Sequence, residues 1–488
     1  MSLHTIDRWL RDRARATPDR VAVDFDGSLT TYAQLDRRSD ELSASLSHGE
    51  VVSTLTGNSV EHIALFFACA KVGAILHPIS WRLAPAEVAY QLDDAGADVF
   101  VVEDEQRELA AAALALAVVA PAQTLTAARR GAPGDGPADD DGLLLIYTSG
   151  TTGKPKGALL THANCFWTNV SFDLATGIAG DDVALAFLPQ FHVGGWNVQP
   201  LLSWWKGARI ILERAFDPSR ALRLVEEKRV TTLMGVPANY LFMAQDPGFA
   251  AADLSSLRRA VVGGAPMPVP LIEAWRERGI EIIQGYGLTE ASPNVLCLPP
   301  EDAMRKIGSA GKPYPFVDVD VSDDGELLVR GPNVFPGYWR NPEASAIALA
   351  DGWLHTGDVV ERDDEGYFWI KGRLKEMFIS GGENVYPAEI ESVLHAHPHV
   401  SDAAVVGVPD ERWGEVGAAY VVTDGGVTTD ELIAFCRERL ASFKVPKSVR
   451  VVHELPRNSM GKIQKSELSA GSAASPAPPD RQRGVVQT

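Results

Sequence analysis

The sequence predicts an α/β fold: a large N-terminal domain of stacked αβ subdomains with largely parallel sheets, followed by a small α+β domain. Three observations predict it. Short runs rich in β-branched residues alternate with helical patterns up to Asp358, the rhythm of buried strands joined by crossover helices. A length of 488 residues with 45% apolar content exceeds what one core usually organises, so two or more domains are expected. Past Asp358 the pattern changes to strand, turn, strand, glycine-rich loop and helix in close succession.

Taken in order, the first stretch, MSLHTIDRWLRDRARATPDR, carries charge throughout and has no apolar h-region, so it is not read as a signal peptide. ALFFACAKVGAIL reads as a buried helix, and DVFVV as a strand. The Ala-rich LAAAALALAVVAPA from Leu109 is too short to span a bilayer and is broken by a proline. RRGAPGDGPADDDG, Arg129 to Gly142, lacks an apolar period and reads as a loop or linker. LLLIY, ARIIL, TTLMGV, RRAVVGG and IEIIQGYG follow as strands between helices. VSDAAVVGVP, GAAYVV, DELIAFCRERL and VRVV complete the C-terminal unit. The expected division is 1–374, 375–468 and a Ser/Ala/Pro-rich disordered tail over 469–488.

The formal charge of -19 repels nucleic-acid phosphates and anionic lipid, and no basic run opposes it, so no nucleic-acid partner is expected; the longest apolar stretch being too short, no integral membrane segment is expected either. Cys69, Cys165, Cys297 and Cys436 lie far apart without C-x-x-C spacing, which argues against a zinc site or a disulfide framework. A cytoplasmic protein, monomeric or homodimeric, is expected.

The segment IYTSGTTGKPKG, Ile146 to Gly157, packs glycines, hydroxyls and two lysines together at the end of a strand. It is not a Walker loop, because only two residues separate Gly150 from Gly153 and Pro155 follows Lys154. The physics is related all the same: glycines let the backbone approach, hydroxyls and N–H groups donate to phosphate oxygens, and lysines neutralise them. By itself the segment reads equally as a phosphate-holding loop or as an ordinary Gly/Thr-rich surface loop.

Seven further motifs follow it in order: LPQFHVGG, GGAP, GYGLTE, ELLVRGPNVFPGYW, WLHTGD, IKGRLKEMFISGGENVYPAEIE and NSMGK. Together they resemble the adenylate-forming superfamily of acyl-CoA synthetases, luciferases and peptide-synthetase adenylation domains, most of all the bacterial fatty acyl-CoA ligases. The resemblance covers nearly the whole chain. It implies a mobile C-terminal lid and an activity that needs ATP, Mg²⁺ and coenzyme A.

The resemblance also implies roles. Thr148, Ser149, Gly150, Thr151, Thr152, Gly153 and Lys154 would hold the phosphates. Gly264, Ala265 and Pro266 would wall one side of adenine, with Gly285, Tyr286 and Gly287 on the other, and Asp358 and Arg373 would hold the ribose. Thr289 would donate to the α-phosphate and Glu290 would hold Mg²⁺, a hard cation suited to carboxylate and phosphate oxygens. Lys462 would bridge the acid carboxylate and the α-phosphate, placing charge where charge builds up. His192 would gate the acid pocket against the thiol tunnel, although a histidine between Phe191 and Val193 also reads as a packed side chain. The pocket is expected around Trp196, Asn197, Val198, Gly235, Val236, Tyr240 and Leu288. Gly381, Gly382 and Glu383 would let the pantetheine arm pass, and Lys375 would be the hinge.

The stretch LPQFHVGGWNVQ holds no Asp or Glu to pair with an α-amine, so an amino acid is not expected as substrate. Only about two dozen residues follow Lys462, fewer than a fused carrier domain needs. The leading reading is therefore a CoA ligase for a hydrophobic carboxylic acid, a fatty acid first. A stand-alone ligase loading a separate carrier protein, a CoA ligase for an aryl or terpenoid acid, a luciferase-type oxygenase and a non-enzymatic scaffold are the alternatives. SHGEVVSTLTGNSVEH departs from the family pattern in being shorter and more polar.

Overall fold

The computed structural model describes residues 3–118, 136–148, 154–457 and 463–471. Ser149, Gly150, Thr151, Thr152, Gly153 and Lys462 lie outside them, as do half of the expected linker and most of the expected tail. The chain divides into two compact units, the first closing at Lys371 and the second opening at Gly372, three residues before the boundary expected from the sequence. The helix Lys465–Gly471 extends into the stretch expected to be disordered, which is a correction. Leu468 is buried there, and its carbonyl accepts from the Tyr420 hydroxyl at 3.0 Å.

The first unit holds three sheets. In the largest, of nine strands, Ile282–Gly287, Arg259–Val262, Thr232–Gly235, Val183–Ala186, Arg209–Leu212 and Val21–Phe25 run side by side and parallel, with antiparallel strands at both edges. Every strand read from the sequence in this region is present. In a second sheet Val99–Val102, Val51–Leu55, Ile75–Pro78 and Gly142–Thr148 are parallel, and Lys156–Thr161 closes it as an antiparallel edge. The third sheet, Asp318–Val321, Glu326–Arg330, Leu354–Arg362 and Phe368–Arg373, pairs antiparallel over its first three strands, the exception in a domain expected to have largely parallel sheets. Its first two strands are joined by a short turn, and a turn of that length can only reverse the chain.

The polar departure SHGEVVSTLTGNSVEH folds into the wholly buried strand Val51–Leu55 and the cap of the next helix. The two hydroxyls within the strand are satisfied inside: Ser53 meets His77 Nδ1 at 2.8 Å and Thr54 meets His62 Nε2 at 3.1 Å. Ser59 then caps the helix Val60–Val72 by accepting from the His62 N–H. That helix is buried on nearly all sides, as its sequence predicts.

The second unit is a five-stranded sheet around the long antiparallel pair Val400–Asp410 and Gly414–Thr423, covered by the helices Pro387–His395 and Thr429–Arg437. Phe378, Val385, Ile390, Leu394 and Leu432 form its separate core. Among the described residues no helix is long and apolar enough to cross a membrane.

Candidate active site

Three adjacent parallel strands, Thr232–Gly235, Arg259–Val262 and Ile282–Gly287, end on one edge of the large sheet. In open α/β sheets ligands bind beyond the carboxyl ends of the strands, and the predicted site residues gather at that edge. Gly263 sits so close to the neighbouring strand that a Cβ there would lie 3.2 Å from the Gly285 carbonyl oxygen. Gly264, Ala265 and Pro266 are exposed beyond it, and a Cβ on Gly264 would reach Val236 at 3.4 Å. The half-buried Tyr286 leaves the third strand, and its hydroxyl donates to Asp358 Oδ2 at 2.6 Å. Asp358 is supplied by the third sheet and is only 4% exposed.

After Gly287 the chain turns sharply through Thr289–Ala291. A Cβ on Gly287 would lie 1.6 Å from the Pro293 carbonyl oxygen, so no other residue fits there. Leu288 N donates to the same oxygen at 3.1 Å, closing the turn that presents Thr289 and Glu290. Glu290 Oε1 accepts from the Tyr338 hydroxyl at 2.8 Å and from Thr148 Oγ1 at 3.4 Å. Among the described residues no hydrogen bond reaches Oε2, so the two oxygens differ: Oε1 is anchored and Oε2 is not. That donor set fits a hard cation such as Mg²⁺.

The stems of the phosphate-loop segment are well defined. Thr148 and Lys156 form the last pair of an antiparallel ladder. Lys154 is exposed, with Nζ 5.8 Å from the centre of the Tyr90 ring, and the Tyr90 hydroxyl donates to the Pro155 carbonyl at 2.9 Å. Thr148 with Glu290, and Tyr286 with Asp358, thus form two hydrogen-bonded pairs, and Tyr286 and Glu290 lie four residues apart in the chain.

The acid side differs. His192 Nε2 is sealed from solvent with no hydrogen-bond partner among the described residues, and its ring packs edge-on to Phe191 at 4.6 Å. Burial first, and the nearby Arg82 charge second, push its pKa down to about 3. Trp196, Asn197 and Tyr240, expected as pocket walls, are buried at 0% exposure. Trp196 stacks on Phe66 at 4.6 Å and donates to the Gln190 carbonyl at 2.7 Å. The Tyr240 hydroxyl donates to the Val261 carbonyl at 2.8 Å, and Asn197 meets Asn169 Nδ2 at 3.3 Å. Val198 and Gly235 are buried as well, leaving Val236 and Leu288 partly exposed. A narrow crevice is lined instead by Leu188, Gln190, Gly194, Gly195, Leu212 and Met234, around the carboxyl ends of neighbouring strands.

In the second unit Gly381 and Gly382, with φ of 63° and 92°, form a two-residue hairpin between Phe378–Ser380 and Glu383–Val385. The Gly381 N–H donates to the Trp413 carbonyl at 2.8 Å, fixing the turn, while Gly381, Gly382 and Glu383 remain exposed. Lys375 is exposed in the turn Leu374–Glu376 directly after Arg373. Lys465 Nζ bridges Glu376 at 3.0 Å and Glu391 at 2.8 Å. Burial holds the Glu391 carboxyl above its usual range despite the lowering pull of Lys465.

Two groups escaped the sequence reading. Tyr338 lay inside a quoted motif, where an aromatic hydroxyl among glycines was the available signal, and Arg82 lay in no motif.

Residues 10–339 match the AMP-binding enzyme family and residues 389–462 match the AMP-binding enzyme C-terminal domain. A feruloyl-CoA synthase of an Amycolatopsis species is 44% identical over 94% of this chain and 97% of its own. A long-chain-fatty-acid–CoA ligase, FadD13, of Mycobacterium tuberculosis is 41% identical over 96% and 98%. Among solved structures, the O-succinylbenzoate coenzyme A synthetase of Bacillus subtilis in complex with ATP and magnesium ion superposes with a TM-score of 0.86 at 32% identity, covering 94% of this chain and 99% of that one.

Proposed function

This chain belongs to the AMP-binding enzyme family, and from that premise we propose that it is an AMP-forming acid:CoA ligase acting on an apolar carboxylic acid. One observation carries the reading: Glu290, in the turn that follows the strand of Tyr286, accepts from Thr148 at the end of the strand Gly142–Thr148, while Tyr286 itself donates to Asp358 of the third sheet. That arrangement offers a ring for adenine, an acid for ribose and a second acid beside the phosphates.

In the first half-reaction a carboxylate oxygen of the acid attacks the α-phosphorus of ATP, the α–β bridge breaks, and acyl-AMP and pyrophosphate form. Tyr286 stacks the base between itself and Gly264, Ala265 and Pro266, while Asp358 and Arg373 take the ribose hydroxyls. Thr148, the segment Ser149 to Gly153 and Lys154 hold the phosphates, and Thr289 donates to the α-phosphate. Glu290 would hold Mg²⁺, which when bound neutralises charge on the phosphate oxygens. Lys462 opposes the charge that develops between the two anions.

In the second half-reaction the CoA thiol sulfur attacks the acyl carbon, its proton is lost, and AMP leaves. The Gly381–Gly382 hairpin gives the pantetheine arm a side-chain-free edge, and Lys375 is the hinge that exchanges the two arrangements. His192 gates by bulk: with a pKa near 3 it stays neutral and lends no charge to the reaction. Relatives named as CoA ligases favour CoA over a carrier protein as acceptor.

A compact aryl acid is the first reading, supported by the 44% identity to a feruloyl-CoA synthase. A fatty acid is the second reading, supported by the 41% identity to a long-chain ligase. A panel of aryl, alkyl and small polar acids, followed by pyrophosphate release and then by CoA-dependent AMP release, tests both. A cinnamate-type acid should lead; a monotonic gain with alkyl length would favour the fatty reading, and preference for acetate or an amino acid would overturn the apolar class.

A further inference from the structure

Tyr338 has no part in the roles above, yet it is the group that anchors the Glu290 carboxylate. Its hydroxyl donates to Oε1 at 2.8 Å, a shorter contact than the 3.4 Å from Thr148. The residue is held from three sides. Its backbone forms an isolated antiparallel bridge to Ala158, next to Gly157, whose carbonyl accepts from Trp339 N at 2.7 Å. Its own N–H donates to Ser345 Oγ at 2.8 Å. Its ring meets Phe335 edge-on at 5.0 Å and carries Lys156 Nζ at 4.4 Å from the ring centre. Phe335 N in turn donates to the Glu290 carbonyl at 2.9 Å.

Lys156 and Thr148 are the two stems of the phosphate-loop segment, and both meet this pair: Thr148 at the Glu290 carboxylate, Lys156 over the Tyr338 ring. We propose that Tyr338 is a positioning residue for metal binding: by holding Glu290 Oε1 it fixes which carboxylate oxygen faces the metal–nucleotide complex and ties that orientation to the loop stems. The inference rests on the reading of Glu290 as the Mg²⁺ ligand. Groups that orient a ligating carboxylate typically change metal affinity about 10–100-fold when removed.

Tyr338→Phe removes one oxygen and keeps the ring against Phe335 and Lys156. Mn²⁺ affinity in the presence of a non-hydrolysable ATP analogue, read by electron paramagnetic resonance, should weaken about 10-fold. The thermal midpoint and the affinity for AMP without metal should stay at wild-type values, which a merely structural role would not allow. Wild-type Mn²⁺ affinity in Tyr338→Phe, alongside weakened affinity in Glu290→Gln, overturns the role of Tyr338 alone. Wild-type Mn²⁺ affinity in Glu290→Gln overturns the metal assignment itself. Loss of metal-free AMP binding or a lowered midpoint in Tyr338→Phe overturns the proposal in favour of a structural role.

Discussion

The nucleotide wall and the acid wall are built in opposite ways. On the nucleotide side the functional groups are polar, joined by hydrogen bonds and, but for the buried Asp358, partly accessible: Tyr286 to Asp358, Tyr338 and Thr148 to Glu290. On the acid side the residues expected to touch substrate turn inward, and Trp196, Asn197 and Tyr240 are core. The difference teaches that a polar group can be placed by its chemistry, because a carboxylate beside a tyrosine hydroxyl has few other uses. An apolar group serves a core and a pocket equally well, and only packing separates the two.

The largest expected effect attacks the acid wall. Trp196→Ala should cost about 3–5 kcal/mol of stability, as deletion of a buried tryptophan does, and leave the order of preferred acids unchanged. Urea unfolding and the acid panel measure the two. A reordered panel at unchanged stability would make Trp196 a pocket wall and erase the contrast.

Next, Asp358→Asn tests the nucleotide wall. It keeps the shape but removes the charge that accepts from Tyr286, so kcat/KM for ATP should fall about 10–100-fold, corresponding to about 1.5–3 kcal/mol for a hydrogen bond to a charged group. The KM for the acid should barely move. Steady-state kinetics with each substrate varied would show a shared loss if the two walls are not separate.

The smallest effect is in pH. The His192 pKa lies near 3 in the fold against a free value of 6.5, so the imidazole stays neutral while the unfolded chain takes up a proton. Stability is therefore whole above pH 6.5 and is lost as the pH falls toward about 3, at about 1.4 kcal/mol per pH unit for each such group. His62 and His162, both near 4, and His77, near 3, act in the same sense through burial. His192→Asn should remove one group's share of that slope in denaturation curves between pH 6 and 4. An unaltered slope would mean that His192 is solvated and belongs with the accessible wall.

The fold was readable because buried parallel strands carry continuous β-branched runs, as ARIIL and TTLMGV do. The strand Val51–Leu55 resisted because its hydroxyls are satisfied by His62 and His77, partners that sequence spacing does not announce. In the site, Tyr286, Asp358 and Glu290 were named from motif order, and a side-chain hydrogen bond pairs the first two. Tyr338 was not, since its partner lies 48 residues earlier in the chain. The acid wall was illegible for the reason already given: Trp196 and Leu188 look alike until one of them is packed.

The Gly287 turn has a consequence for segment exchange between relatives. Its backbone contacts the Pro293 carbonyl so closely that neither partner can shift alone, and Asn333 Nδ2 donates to both the Ala291 and the Asn294 carbonyls. Residues 287–294 therefore behave as a cassette with its own locks. A chimera joined outside that stretch inherits a working presentation of Glu290, provided it brings Asn333, whereas a junction inside it must match two backbones at van der Waals contact.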